Sequence, residues 1–326
     1  MPETAATSSA PTAENCFDLE VDRVRTVATG VIELTLRSET ELPRWTAGSH
    51  VDVTLGPDLV RQYSLCGSTD DHLTFTISVL HEIDGRGGSA RVHQLREGDK
   101  VTVKGPRNHF ALEPSPRYLF IAGGIGITPI LTMITEAERM GAEWRLLYGG
   151  RTRASMAYAD DLMARYQSRV TLHPQDEFGL LDLETALHSP EPGTLVYCCG
   201  PEPLLAAVES ACERWPTGSL HVERFSARSE DLAERPDDAT IEVEFRDSGI
   251  TLQVPPGTTI LEAAPTAGLP VDSSCHEGIC GTCETAVLEG VPDHRDAVLT
   301  AAERESGSTM MICCSRARGP RLVLDL

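Results

Sequence analysis

Three cysteines stand within nine residues, Cys275-x4-Cys280-x2-Cys283, and a fourth, Cys313, follows after 29 intervening positions. That spacing matches a plant-type [2Fe–2S] cluster, in which two irons share four thiolates. Three ligands must then come from one loop, and Gly278 and Gly281 let its backbone turn and aim N–H groups at sulfur. Cys313 is expected to arrive on a separate strand, with Cys314, the competing fourth ligand, on the opposite face. Zinc is the alternative reading, but zinc favours paired C-x2-C elements and one such pair is present.

Hydrophobic patterning divides the rest. From Phe17 to Leu112 six short alternating or β-branched runs (Phe17–Arg25, Val31–Leu36, His50–Leu55, Val60–Leu65, Leu73–Val79 and Lys100–Val103) predict an antiparallel barrel with one helix, Ser89–Leu95. From about Arg117 the rhythm becomes strand, glycine loop, helix. Strands at Tyr118–Ala122, Trp144–Tyr148, Val170–His173 and Leu195–Cys199 alternate with helical stretches, predicting a parallel α/β domain. Thr128-Pro129 reads as an N-cap with proline at the first helical position. Ile241–Phe245 and Ile250–Val254 predict a hairpin around Asp247-Ser-Gly249. A helix over Thr258–Ala267 and strands at Met310–Cys314 and Leu322–Leu326 complete a small α+β domain. The expected layout is a disordered leader over 1–16, the barrel over 17–112, the α/β domain over 113–226, a charged linker over 227–238 and the cysteine domain over 239–326.

The 326 residues carry 28 basic and 49 acidic side chains, a net charge of −21. Nucleic acid is therefore not an expected partner, because phosphate neutralisation needs a basic face. From Pro236 to Leu326 alone there are 15 Asp/Glu against 6 Arg, a surface able to steer a basic protein partner. The most apolar stretch, Tyr118–Ile134, is broken by three glycines and a proline, so no membrane span is expected. Ten cysteines without a secretory signal argue for a reducing compartment, and a cytoplasmic protein is expected.

Four further segments point to bound nucleotides. Gly123-Gly-Ile-Gly126, between a strand and a helix, brings N–H groups toward a phosphate, and Cys199-Gly200-Pro201 ends a later strand at the same sheet edge, where ligands gather. In Arg61-Gln-Tyr63-Ser64, Arg61 and Tyr63 share one strand face, suited to a planar ring and an anion, with Ser64 on the other. Gly85-Arg-Gly87-Gly88-Ser89 opens the barrel's helix as a second phosphate cradle.

With these motifs the chain resembles the phthalate dioxygenase reductase family, a branch of the ferredoxin–NADP reductase superfamily. The resemblance rests on Arg61–Ser64, Gly85–Ser89, Gly105-Pro-Arg-Asn-His-Phe110, Ala122–Pro129, Cys198-Cys-Gly-Pro201, His221-Val-Glu-Arg-Phe225 and Cys313-Cys-Ser-Arg-Ala317, and on their order. It implies a flavin barrel, a nicotinamide domain and a β-grasp ferredoxin domain. FMN would be lined by Arg61, Tyr63, Ser64 and Val79, with its phosphate on Gly87, Gly88 and Ser89. Gly123, Gly124, Gly126, Gly200 and Pro201 would serve NADH, Cys199 would sit near the nicotinamide ring, Thr128 would approach the flavin from the nicotinamide side, and Phe225 would stack on the flavin until nicotinamide displaces it. Ser64, Thr128, Cys199 and Phe225 are thus the expected catalytic set. The implied activity is transfer of electrons from NADH, singly, to a terminal oxygenase or haem monooxygenase by a monomeric reductase. Gln62 and Cys66 have no assigned role. The competing readings are an FAD- and NADPH-dependent fused reductase, for which Arg151 and Arg153 could hold a 2′-phosphate, and a non-enzymatic iron–sulfur sensor.

Overall fold

The computed structural model describes residues 15–57, 59–227 and 235–326. Most of the expected leader, and the central part of the expected linker, lie outside these residues.

The first six strands are β1 (Cys16–Ala28), β2 (Val31–Arg37), β3 (His50–Gly56), β4 (Leu59–Ser64), β5 (Thr74–Leu80) and β6 (Lys100–Arg107), with helix α1 (Gly88–Val92) before β6. They pair antiparallel in the order β4-β3-β6-β1-β2-β5. A bridge between Leu65 and Ile77 joins the two edges and closes the barrel. Inward positions of the alternating strands, among them Leu19, Val21, Leu34, Leu36, Val51, Val53, Phe75 and Ile77, fill its core.

Five parallel strands follow: β7 (Arg117–Gly123), β8 (Glu143–Gly150), β9 (Val170–Pro174), β10 (Thr194–Cys199) and β11 (Leu220–Glu223). Their order is β11-β10-β7-β8-β9. The helices are α2 (Ile127–Met140), α3 (Ala159–Tyr166), α4 (Gln175–Phe178), α5 (Leu183–Leu187) and α6 (Glu202–Ala211). The central strand β7 carries Phe120, Ile121 and Ala122, all fully buried, because helices cover both faces. Sheet order reverses on either side of β7, which places a crevice above the carboxyl ends of β7 and β10.

The last unit has β12 (Ile241–Phe245), β13 (Ile250–Val254), α7 (Ile260–Ala263), β14 (Glu284–Glu289), β15 (Pro292–Asp293), α8 (Ala301–Ser306), β16 (Thr309–Met311), β17 (Arg316–Ala317) and β18 (Arg321–Leu324). Its main sheet runs β13-β12-β18-β14-β16, with β12 and β18 parallel at the centre. Thr259 and Thr300 cap α7 and α8 through reciprocal bonds with Glu262 and Glu303.

Four sequence expectations need correction. Thr128 is not an N-cap: a 3-10 turn over Gly124–Gly126 runs straight into α2, so Thr128 lies inside the helix and its hydroxyl donates to the Ile125 carbonyl, 3.0 Å. Cys313 is not on a strand, because β16 stops at Met311 and Cys313 and Cys314 sit in the turn that follows. The face-alternation argument that set Cys314 aside therefore does not apply. The helix expected over Thr258–Ala267 is one α-helical turn continued by a 3-10 turn over Ala264–Ala267. Residues 235–238, expected in the linker, pack on the last unit: Arg235 pairs with Asp293 at 3.1 Å, and Asp238 pairs with the buried Arg295. Strands β11 and β14 had no counterpart in the sequence reading.

Candidate functional site

The Arg61–Ser64 strand and the Gly85–Ser89 loop meet. Arg61 Nη2 donates to the Arg86 carbonyl at 2.9 Å, and its side chain lies so close to Gly88 that a Cβ there would stand 2.4 Å from Arg61 Cγ. Gly87 holds φ +80, a conformation that favours glycine. Ser89 Oγ accepts from Glu82 N at 3.0 Å and ties the loop's two ends together. The Val79 carbonyl is engaged by His93 Nε2 at 2.9 Å. Burial pushes the Tyr63 phenol well above its ordinary value. Ser64 is buried, and its hydroxyl has no hydrogen-bond partner in the protein. An orphaned buried hydroxyl of this kind marks a place where another molecule supplies the partner.

The glycine loop and the Cys199-Gly-Pro201 turn interlock at the sheet's carboxyl edge. A Cβ on Gly126 would fall 2.2 Å from the Cys199 carbonyl oxygen, and one on Gly123 2.7 Å from Pro201 Cδ. Backbone amides are thus brought within reach of a ligand that side chains would exclude. Thr128 and Cys199 are both buried there. The Cys199 thiol lies 3.8 Å from Glu223 Oε2, a residue the sequence reading did not single out beyond the motif that contains it. Burial pushes the Glu223 carboxyl up to about 8, so it holds a proton beside the thiol at neutral pH. Phe225, two residues on, is 42% exposed, an unusual position for a large apolar ring.

In the cysteine loop the four sulfurs contact one another. Cys275 accepts from Cys280 and Cys313, and Cys283 accepts from Cys313, which holds the Cys275 and Cys283 thiols below their ordinary range. The Glu277 and Gly278 amides donate to Cys275 Sγ and Cys313 Sγ at 3.3 and 3.2 Å. Four converging thiols with N–H donors on their sulfurs fit a sulfur-bridged cluster. Cys314 turns its thiol to the Met311 carbonyl, 3.7 Å, and toward Gly278.

Residues 243–318 match the 2Fe-2S iron-sulfur cluster binding domain, and residues 100–217 the N-terminal domain of the dimethylamine monooxygenase subunit DmmA-like family. The chain is 44% identical over 283 residues to the phenoxybenzoate dioxygenase subunit beta of Ectopseudomonas oleovorans, covering 86% of this chain and 87% of that one. Phthalate dioxygenase reductase, described as a modular structure for electron transfer from pyridine nucleotides to [2Fe-2S], superposes with a TM-score of 0.69 at 33% identity, covering 95% of this chain and 98% of the other. The chain belongs to the phthalate dioxygenase reductase family. An intact type IV self-sufficient cytochrome P450 monooxygenase matches with a TM-score of 0.90 and 44% identity over 95% of this chain, which spans 41% of that longer protein. Like its family, the chain is an oxidoreductase with a 2Fe-2S ferredoxin domain. No described helix is long and apolar enough to cross a membrane.

Proposed function

We propose that this phthalate dioxygenase reductase relative is the reductase component of an oxygenase system, drawing electrons from NADH and delivering them singly to a separate terminal oxygenase or monooxygenase. The observation that carries the reading is the presence, in one chain, of two nucleotide-type sites and a four-thiol loop. FMN fits the barrel site: Arg61, Tyr63 and Ser64 would face it, Val79 would lie along it, and Gly87, Gly88 and Ser89 would take its phosphate. The partnerless Ser64 hydroxyl supports that assignment. When bound, FMN accepts hydride and releases electrons one at a time, which is why it can stand between a two-electron donor and a cluster.

The protein's part is placement. Gly123, Gly124, Gly126, Gly200 and Pro201 would bind the pyridine nucleotide against the sheet edge. Thr128 and Cys199 would orient its ring, and exposed Phe225 would cover the flavin until the ring displaces it. Glu223, protonated beside Cys199, keeps negative charge away from that position. Cys275, Cys280, Cys283 and Cys313 would hold the cluster, with Glu277 N and Gly278 N donating to sulfur. The functional units run over residues 17–112, 113–226 and 235–326, in a monomer working in the cytoplasm.

An anaerobic NADH titration of the holoprotein, followed by absorbance and low-temperature electron spin resonance, tests this. Flavin bleaching with a rhombic reduced-cluster signal is expected. Bleaching without that signal would leave a plain flavin reductase and refute the cluster assignment.

A further inference from the structure

Among the described residues the barrel reaches the cysteine loop and its approach through Gln62, Arg86 and His109, and through Lys104, whose Nζ pairs with Asp272 at 3.1 Å. Gln62, to which the sequence assigns no role, donates from Nε2 both to Asp52 Oδ1 at 2.9 Å and to Ser274 Oγ at 2.6 Å, bridging 212 residues of sequence. Asp52 is held from behind by Arg107 at 2.5 Å, and both of those side chains are nearly buried. Arg86, in the middle of the Gly85–Ser89 loop, turns away from that loop and meets Glu277 with both guanidinium nitrogens, at 2.6 and 2.9 Å. His109 stacks beside His50, ring centroids 5.7 Å apart, and approaches Gly281 so closely that a Cβ there would stand 2.3 Å from Nε2. The residues contacted, Ser274, Glu277 and Gly281, flank Cys275 and Cys280. The residues that contact them neighbour Arg61, Tyr63 and Gly87. His50 itself is the cross-strand partner of Ser64.

We infer that Gln62, Arg86 and His109 form a seat on the barrel that docks the cysteine loop and thereby sets the rate of internal electron passage. The inference rests on the proposed flavin and cluster sites. Each passage moves one electron from the flavin site to the cluster site, with no bond made or broken in the protein, so only their separation and contact are under the seat's control. Gln62 and His109 fix the loop by short-range packing and hydrogen bonding, which salt does not screen. The Arg86–Glu277 fork is bidentate and directional, but Arg86 is 59% exposed, so this contact, like the exposed Lys104–Asp272 pair, weakens as ionic strength rises. The three are positioning residues, since none touches a reacting atom.

The test uses full-length holoprotein mixed rapidly with NADH under anaerobic conditions, with flavin and cluster bleaching followed separately and freeze-quenched samples read by electron spin resonance. Glu277→Arg, which keeps its backbone amide, is expected to slow cluster reduction by about tenfold or more relative to flavin reduction in the same sample. The charge exchange Arg86→Glu/Glu277→Arg, checked for flavin content, is expected to restore it to within about threefold. His109→Ala is expected to slow the same step and to raise amide hydrogen exchange across residues 272–281, with the equilibrium midpoint potential of the cluster unchanged. Wild-type internal rates in Glu277→Arg and His109→Ala, or a charge exchange that loads flavin and cluster normally yet rescues nothing, would overturn the seat. A wild-type protein in which NADH never produces a cluster signal would instead overturn the proposed function.

Discussion

Replacing Gly126 by alanine adds one methyl group where none fits. The new Cβ would lie 2.2 Å from the Cys199 carbonyl oxygen, 2.4 Å from its carbon and 2.7 Å from Gly200 N, all backbone atoms that cannot rotate away. Ordinary contact begins at 3.4 Å, so the amino end of α2 and the turn after β10 must part by about 1 Å. Gly126 itself has helical φ and ψ of −60 and −4, which suit any residue. The effect is therefore one of closeness, with no backbone strain. Because Ile127, Thr128, Pro129 and Ile130 are all buried behind the junction, the gap opens where the pyridine nucleotide would lie. A displacement of about 1 Å there is worth roughly 10²-fold in kcat/KM for NADH, or about 2.7 kcal/mol. The assay is NADH-dependent ferricyanide reduction, with cluster content and dithionite-reduced spin resonance as controls that must not change. Gly141→Ala, at the far end of α2, is the matched control: its Cβ meets nothing within 4 Å, and φ +69 adds strain of about 1 kcal/mol to stability. Gly126→Ala with kcat/KM within about threefold of wild type would refute the reasoning.

Cys280→Ser should abolish reduction of a one-electron protein acceptor and leave NADH-to-ferricyanide turnover largely intact. Cys314→Ser should retain the full cluster spin signal, because its thiol faces the Met311 carbonyl, and its loss would make Cys314 the fourth ligand. Glu223, held up to about 8 by burial, keeps its proton in the fold after the unfolded chain has lost it. Its contribution makes stability fall from about pH 4.5 to 8, and Glu223→Gln should flatten the thermal-unfolding profile in that window. Asp238 is held down to about 2, chiefly by hydrogen bonds from Arg295, so its contribution is full above about pH 4 and lost as pH falls through 2. Asp238→Asn should cost about 2–3 kcal/mol at neutral pH, read from loss of the cluster's visible absorbance on heating, since Arg295 is left with Asp293 alone.

The barrel strands were legible because their alternation is strong: each starts within one residue of its expected start, while β1 and β6 run three and four residues past their expected ends. Strand β14, Glu-Thr-Ala-Val-Leu-Glu, was not, because Glu, Ala and Leu suit a helix equally and only pairing with β18 and β16 settles the conformation. Strand β11 is four residues long and too short for a period to show. Thr128-Pro129 misled because a cap followed by proline is a local signal, whereas the preceding 3-10 turn starts the coil three residues early. Among site residues, the glycines and cysteines could be read from spacing. Glu223 and the Gln62–Ser274 bridge could not, since burial beside Cys199 and contact across 212 residues arise only when the chain has folded.

The parallel pairing of β12 with β18 has a consequence for biosynthesis. The middle of that sheet is vacant until residues 321–324 leave the ribosome, although the Cys275–Cys283 loop has emerged some forty residues earlier. Until then Val243 and Phe245 lack the neighbours that bury them, and the loop thiols are open to oxidation. Cluster insertion is therefore expected only after residues 321–324 have emerged, with iron and sulfide delivered to a domain whose sheet is already closed. A pulse-labelled nascent chain arrested before residue 321 should accept no cluster.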